Sequence, residues 1–400
     1  MMEQQLRAQL EKYQGYLQQD PENVSLQMQI ADLHLRLAEF DTAREMLTKV
    51  ISADPSNFEA RYMLTNIEIA SSNFQEAKDE LEKLIADGLD IPAVRYNLAY
   101  ANAFLGDYGA AKDHLLLIKD NKDVAKTKFL LSQMHHHLSE IDEGIDCMNQ
   151  FIIEHPEDSE APGFLSMLYL DSENMDEARK WAHVALDKNP NQTEALVTAG
   201  NISLVDSDID TAQNMFKQAA TNKPNSGRAW AGMGLASMLD LNLEKAISEL
   251  ENAVKFMPNH IGTWHTLAWC KIVIGDLEGA KECFDKSLEI DNRFGETYGG
   301  MAVLAIMQGE TDDVEVLIRK ALRLDPVSFS ARFAQSLLAN SKGDSEKASD
   351  IIKNIFTSLN SMNNANFSKL FMSVINRQNS KSQNANAKQQ SELNKIAARH

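Results

Sequence analysis

The chain has 400 residues, 44% of them apolar, and a net charge of −19. That charge is uneven: residues 361–400 hold six Lys/Arg against one Glu, a net of +5 that leaves −24 on residues 1–360. So acidic a body repels phosphate backbones and anionic lipid, which argues against nucleic acid and membrane surfaces as partners.

Residues 3–19 read as one helix, with Leu6, Leu10, Tyr13 and Leu17 on a single face. Residues 1–23 are then an N-terminal capping half-repeat, with no apolar run of signal-peptide length. From Val24 to about residue 362 the chain repeats itself. Small residues recur at Ala31, Thr65, Ala99, Ser132, Ser166, Gly200, Gly234, Ala268, Ala302 and Ser336. A second series runs Ala43, Ala77, Ala111, Gly144, Ala178, Ala212, Ala246, Ala280, Val314 and Ala348. Both step by 34 residues except for one step of 33, which the loop over residues 119–124 is expected to absorb. Prolines at 21, 55, 156, 190, 224, 258 and 326 keep the same phase. The ten units start at Val24, Phe58, Pro92, Ala125, Ser159, Thr193, Gly227, Ile261, Gly295 and Phe329. Small residues suit points where two helix backbones cross closely, and proline suits a junction because it cannot continue a helix. Turn signals stand at Gly106, Gly275, Gly309 and Gly343, while units four to six lack the glycine.

After the tenth unit, residues 363–377 carry Phe367, Leu370, Phe371 and Val374 at helical spacing and are expected to form a C-terminal capping helix. Residues 378–400 are rich in Asn, Gln, Ser and Lys and are expected to be a disordered tail. No stretch is long and apolar enough to span a bilayer, so a cytoplasmic location is expected.

The clearest unit is residues 261–294, IGTWHTLAWCKIVIGDLEGAKECFDKSLEIDNRF, with Trp264, Leu267 and Ala268 in its first half and Ala280 and Phe284 in its second. That order resembles the tetratricopeptide repeat, W-x2-L-G…A-x3-F…P. The resemblance implies an all-α fold: a right-handed α-solenoid of about ten helix-turn-helix units in one continuous array. It also implies a concave face lined by the first helix of each unit. On units two to four that face offers Tyr62, Asn66, Tyr96, Tyr100, Phe104, Phe129, Gln133 and His136, aromatic with polar handles. On units seven to nine it offers Leu235, Met238, His265, Trp269, Ile272, Val303 and Ile306, nearly all apolar. The apolar strip centred on Trp269 is the expected partner site, with packing between units as the competing role.

Chemistry of its own is not expected. His135, His136 and His137 point about 100° apart on a helix, whereas a helical metal pair wants i and i+4, so neither metal nor cofactor is predicted. Cys147, Cys270 and Cys283 stand at no metal-binding spacing and read as inert buried thiols. Gly232 and Gly234 lie inside a first helix with no preceding strand, which rules out a dinucleotide fingerprint. A carboxylate clamp would draw on Asn66, Asn97 and Lys126, but Tyr62 and Leu130 stand where two further cations belong. An asparagine ladder is missing too, since Gln29, Met63, Leu130, Phe164 and Thr198 interrupt it. The reading is a non-catalytic scaffold that holds a protein or peptide segment. It acts as an adaptor or chaperone in the assembly or secretion of a bacterial surface structure, or alternatively as a regulatory subunit docked on a glycosyl- or sulfotransferase. Its oligomeric state is left open.

Overall fold

The computed structural model describes residues 2–118, 124–310, 312–358 and 369–376. Among these residues every regular element is a helix. They fall into two compact units, residues 1–161 and 162–400.

The first unit holds α1 (Met2–Leu17), α2 (Val24–Arg36), α3 (Phe40–Ala53), α4 (Phe58–Ala70), α5 (Phe74–Ala86), α6 (Pro92–Phe104), α7 (Tyr108–Leu116), α8 (Thr127–His137) and α9 (Ile141–Glu154). Each helix packs on the next, and α2, α4, α6 and α8 also meet one another in series. That second set of contacts gathers the first helices of successive pairs on one face. Helix α1 lays Leu6, Leu10, Tyr13 and Leu17 against Ile30 and Leu33. Helix α8 begins at Thr127, two residues after the repeat frame, because the Thr127 hydroxyl and amide both bond to the Val124 carbonyl and hold a turn there.

The second unit holds α10 (Ala161–Asp171), α11 (Met175–Lys188), α12 (Thr193–Val205), α13 (Ile209–Asn222), α14 (Gly227–Leu239), α15 (Leu243–Phe256), α16 (Ile261–Ile274), α17 (Leu277–Ile290), α18 (Gly295–Gln308), α19 (Val314–Leu324), α20 (Phe329–Ser341) and α21 (Ser345–Ser358). A further helix, α22, covers residues 369–376. Helix α10 also starts late, at Ala161, since the Asp158 carboxylate accepts the Glu160 and Ala161 amides and fixes the first turn. Here again the first helices, α12, α14, α16, α18 and α20, meet in series.

The two small-residue series occupy the helix crossings. Ala31, Ala99, Ala268 and Ala302 of the first, with Ala43, Ala77, Ala212 and Ala280 of the second, are wholly buried. In one repeat the crossing is stitched by a bond from the Ser132 hydroxyl to the Gly144 carbonyl, 2.6 Å. At Gly234 an added Cβ would stand 2.5 Å from Leu250 Cγ, so no larger residue fits there unless the leucine moves.

The turn inside each pair has one conformation throughout. Its fifteenth residue is left-handed in all ten repeats: glycine at Gly106, Gly275, Gly309 and Gly343, and a side-chain residue at Ala38, Ser72, Ser139, Glu173, Ser207 and Leu241. The turn needs this conformation to return the chain antiparallel, and packing of the paired helices imposes it even on residues that resist it. Residues 119–123, 311, 359–368 and 377–400 lie outside the described residues. The 33-residue step and the expected disordered tail fall there, wholly or in part.

Candidate functional site

In the second unit a cavity of about 230 Å³ opens among the first helices. Leu235 and Met238 of α14, His265 and Trp269 of α16, Glu296 of α18 and Phe329 of α20 line it. The helical spacing that put Leu235, Met238, His265 and Trp269 on one strip therefore brings all four to one wall. Ile272, Val303 and Ile306, read from the same spacing, lie buried in the hydrophobic core and do not line the cavity.

Unit nine explains the reach of Trp269. At the positions facing inward it offers Gly299 and Val303, and Gly299 lies so near α20 that an added Cβ would stand 2.4 Å from the Ala331 amide nitrogen. With α18 so slim, the indole reaches past it to the rings of Phe329 and Phe333, at 6.3 Å and 5.8 Å.

Helix α22 completes the site. It packs against Trp269 of α16 and against Phe329 and Phe333 of α20. Phe371 sets its ring 5.1 Å from Trp269, 4.7 Å from Phe329 and 5.0 Å from Phe333, edge to face each time. Leu370, Phe371 and Val374 are all buried in the same hydrophobic cluster, whereas Met372 is exposed.

Polar groups also stand in this apolar wall: Thr266, whose hydroxyl donates to the Gly262 carbonyl at 2.9 Å, and three others. Glu296 accepts the Phe329 amide at 2.6 Å and the Ser330 amide at 3.0 Å, capping α20 from the neighbouring repeat. His265 is 8% exposed and shares a 2.9 Å hydrogen bond with the Thr297 hydroxyl. Burial alone pushes its pKa down to about 4, so the imidazole is neutral near pH 7. The Ser330 hydroxyl lies against the cavity, buried, with no hydrogen-bond partner among the described residues. A second hollow, of about 400 Å³, continues from the first and shares Leu235 and Thr266 with it. Its polar end is Arg228, held bidentate by Asp171 at 2.8 and 3.0 Å.

In the first unit the sequence-predicted residues divide. Tyr62 and Asn66 line a broad hollow of about 770 Å³ and are tied to α6 by Asn97, whose amide donates to the Asn66 carbonyl oxygen at 2.7 Å and the Tyr62 hydroxyl at 3.1 Å. Burial raises the phenol pKa of both Tyr62 and Tyr96. Tyr100 and Gln133 line a separate hollow with Phe104, which stacks on Phe74 at 4.4 Å. Phe129 is buried edge-on against Phe151 at 5.4 Å and belongs to the core. The clamp candidates are engaged elsewhere: Asn97 as above, and Lys126 with Glu160 at 3.4 Å.

The histidine triplet spreads as helix geometry requires. His135 pairs with Glu140 at 2.6 Å, and His137 stacks on Tyr108 at 4.1 Å. Among the described residues no cluster of three or more His, Cys, Asp or Glu could hold a metal ion. All three cysteines are free; burial pushes the thiol pKa of Cys270 to about 12 and that of Cys283 to about 11. No helix among the described residues is long and apolar enough to cross a membrane.

A family model described as tetratricopeptide repeat matches residues 2–67 and 38–96, and a second model of that description matches residues 261–294. No curated protein sequence matches the chain. Among solved structures, the Cut9–Hcn1 hetero-tetramer of the APC/C is similar at 13% identity, over 94% of this chain and 90% of that one, with a TM-score of 0.51. A human IFIT1 dimer with m7Gppp-AAAA is similar at 15% identity, over 84% and 90%, with a TM-score of 0.54. At these identities the likeness is one of fold.

Proposed function

Because the chain belongs to the tetratricopeptide-repeat family, a fold that supports protein-interaction scaffolds, we propose that it is a non-catalytic scaffold whose apolar groove around Trp269 holds a segment of a protein partner. One observation carries the reading. The groove already accepts a short helix in the form of α22, with an aromatic ring seated among Trp269, Phe329 and Phe333. A large aromatic in an apolar pocket is the usual anchor of such interfaces. RNA is the alternative raised by the IFIT1 structure. The apolar lining and the −24 charge of residues 1–360 oppose it.

Two partner classes remain from the sequence: subunits of a bacterial surface structure, for which the chain acts as adaptor or chaperone, and an enzyme such as a transferase that it regulates. Affinity capture with full-length wild type and Trp269→Gln, each also melted, tests the reading. Capture that is lost in the variant while the chain still melts in one cooperative transition, lowered only by the lost ring contacts, is expected. Small secreted subunits in the captured fraction point to the first class and a transferase to the second. Capture unaffected by Trp269→Gln, or recovery of RNA alone, refutes the groove as the protein-binding site.

A further inference from the structure

Helix α22 fills the groove by means that a partner segment would share. Leu370, Phe371 and Val374 fall at i, i+1 and i+4 and form one buried face, while Lys369 and Met372 stay exposed. The buried face of residues 369–376 is what docks this helix on the groove. Its ring contacts span repeats eight and ten, and its region is basic where the array is acidic: +5 on residues 361–400 against −24 on the remainder.

Resting on the groove reading above, we propose that α22 is an internal occupant of the site. A partner displaces it with a segment of the same chemistry: a short, basic amphipathic helix that carries an aromatic residue and, three positions later, an aliphatic one. An occupant tethered in the same chain competes at a local concentration on the order of millimolar. The apparent affinity for a partner then falls by the fraction of molecules in which the groove stands empty. Contacts outside the groove would let a cognate partner overcome that competition, whereas a lone peptide would not.

The probe is a fluorescent peptide of residues 366–377, NFSKLFMSVINR, added to full-length protein. The Phe371→Ser/Val374→Ser chain is expected to bind it at least ten-fold more tightly than wild type, and adding Trp269→Gln should abolish that gain. Equal affinity for wild type and the double variant overturns the internal-occupant proposal and leaves the groove as a peptide site. No binding to either chain, with both melts intact, overturns the proposal and the groove reading together. If the double variant melts early, Val374→Ala replaces it, with a gain of about three-fold expected and equal affinity again refuting the proposal.

Discussion

Replacing His265 with glutamine tests whether the groove wall is as dry as its packing implies. The imidazole lies between Phe284 and Phe294, with ring centroids 5.3 and 5.2 Å away, and its bond to Thr297 can be kept by a glutamine amide. Above pH 6.5 the ring is neutral in both folded and unfolded chains and pH has no effect through it. Between pH 6.5 and about 4 only the unfolded chain takes up the proton, so stability falls as pH drops, and the loss is complete once the folded state protonates as well. A drop from 6.5 to about 4 corresponds to about 3 kcal/mol in full, of which about 2 kcal/mol is lost by pH 5. All four tryptophans lie in the second unit, two of them on α16, so urea unfolding followed by indole fluorescence reports this region. Carboxylates titrate in the same window, which makes the difference between wild type and His265→Gln the informative quantity. Wild type should lose about 2 kcal/mol more than the variant between pH 7.5 and 5. Parallel curves would refute the burial argument.

Other outcomes follow from the repeat geometry. Ala38→Gly and Leu241→Gly should each raise stability by about 0.5–1 kcal/mol in urea melts, because a side chain in the left-handed region costs more than glycine's lost freedom. The converse change, Gly275→Ala, should lower stability by about 1 kcal/mol. Gly299→Ala should cost about 2–3 kcal/mol, since its Cβ meets backbone at Ala331 and Ser330. At Gly262, where the same change meets the His260 ring at 3.2 Å, the effect should be small. Cys270 and Cys283 should resist a thiol reagent at pH 8 until the chain unfolds; fast labelling of the native protein would contradict their burial.

Much of this molecule could be read from residue spacing. Helix pairs and crossings follow from the small-residue series, because only small side chains let two backbones approach, and that demand leaves a mark at fixed intervals. The turns were half legible. Gly275 and Gly309 announce a left-handed residue, while Leu241 and Glu173 adopt it under the force of the helices packed around them, and nothing in their chemistry signals it. Legibility ended at depth. Trp269 and Ile272 share a helical face, yet one lines a cavity and the other is sealed in the core, because what covers each position is set by elements distant in sequence. Phe329, Ser330 and Phe371 were missed as groove residues for that reason. The amphipathic spacing of Leu370, Phe371 and Val374 announced a helix and gave no hint of its seat.

The most direct test of the groove as a polypeptide site places a photoreactive amino acid at Leu235, half-buried where the two hollows meet. Irradiated alone, the protein should cross-link to its own residues 369–376. In extract of the native cell those links should give way to links with a basic amphipathic segment of another protein, identified by mass spectrometry. Links that stay confined to residues 369–376 in both conditions, or that form to RNA, would contradict the account.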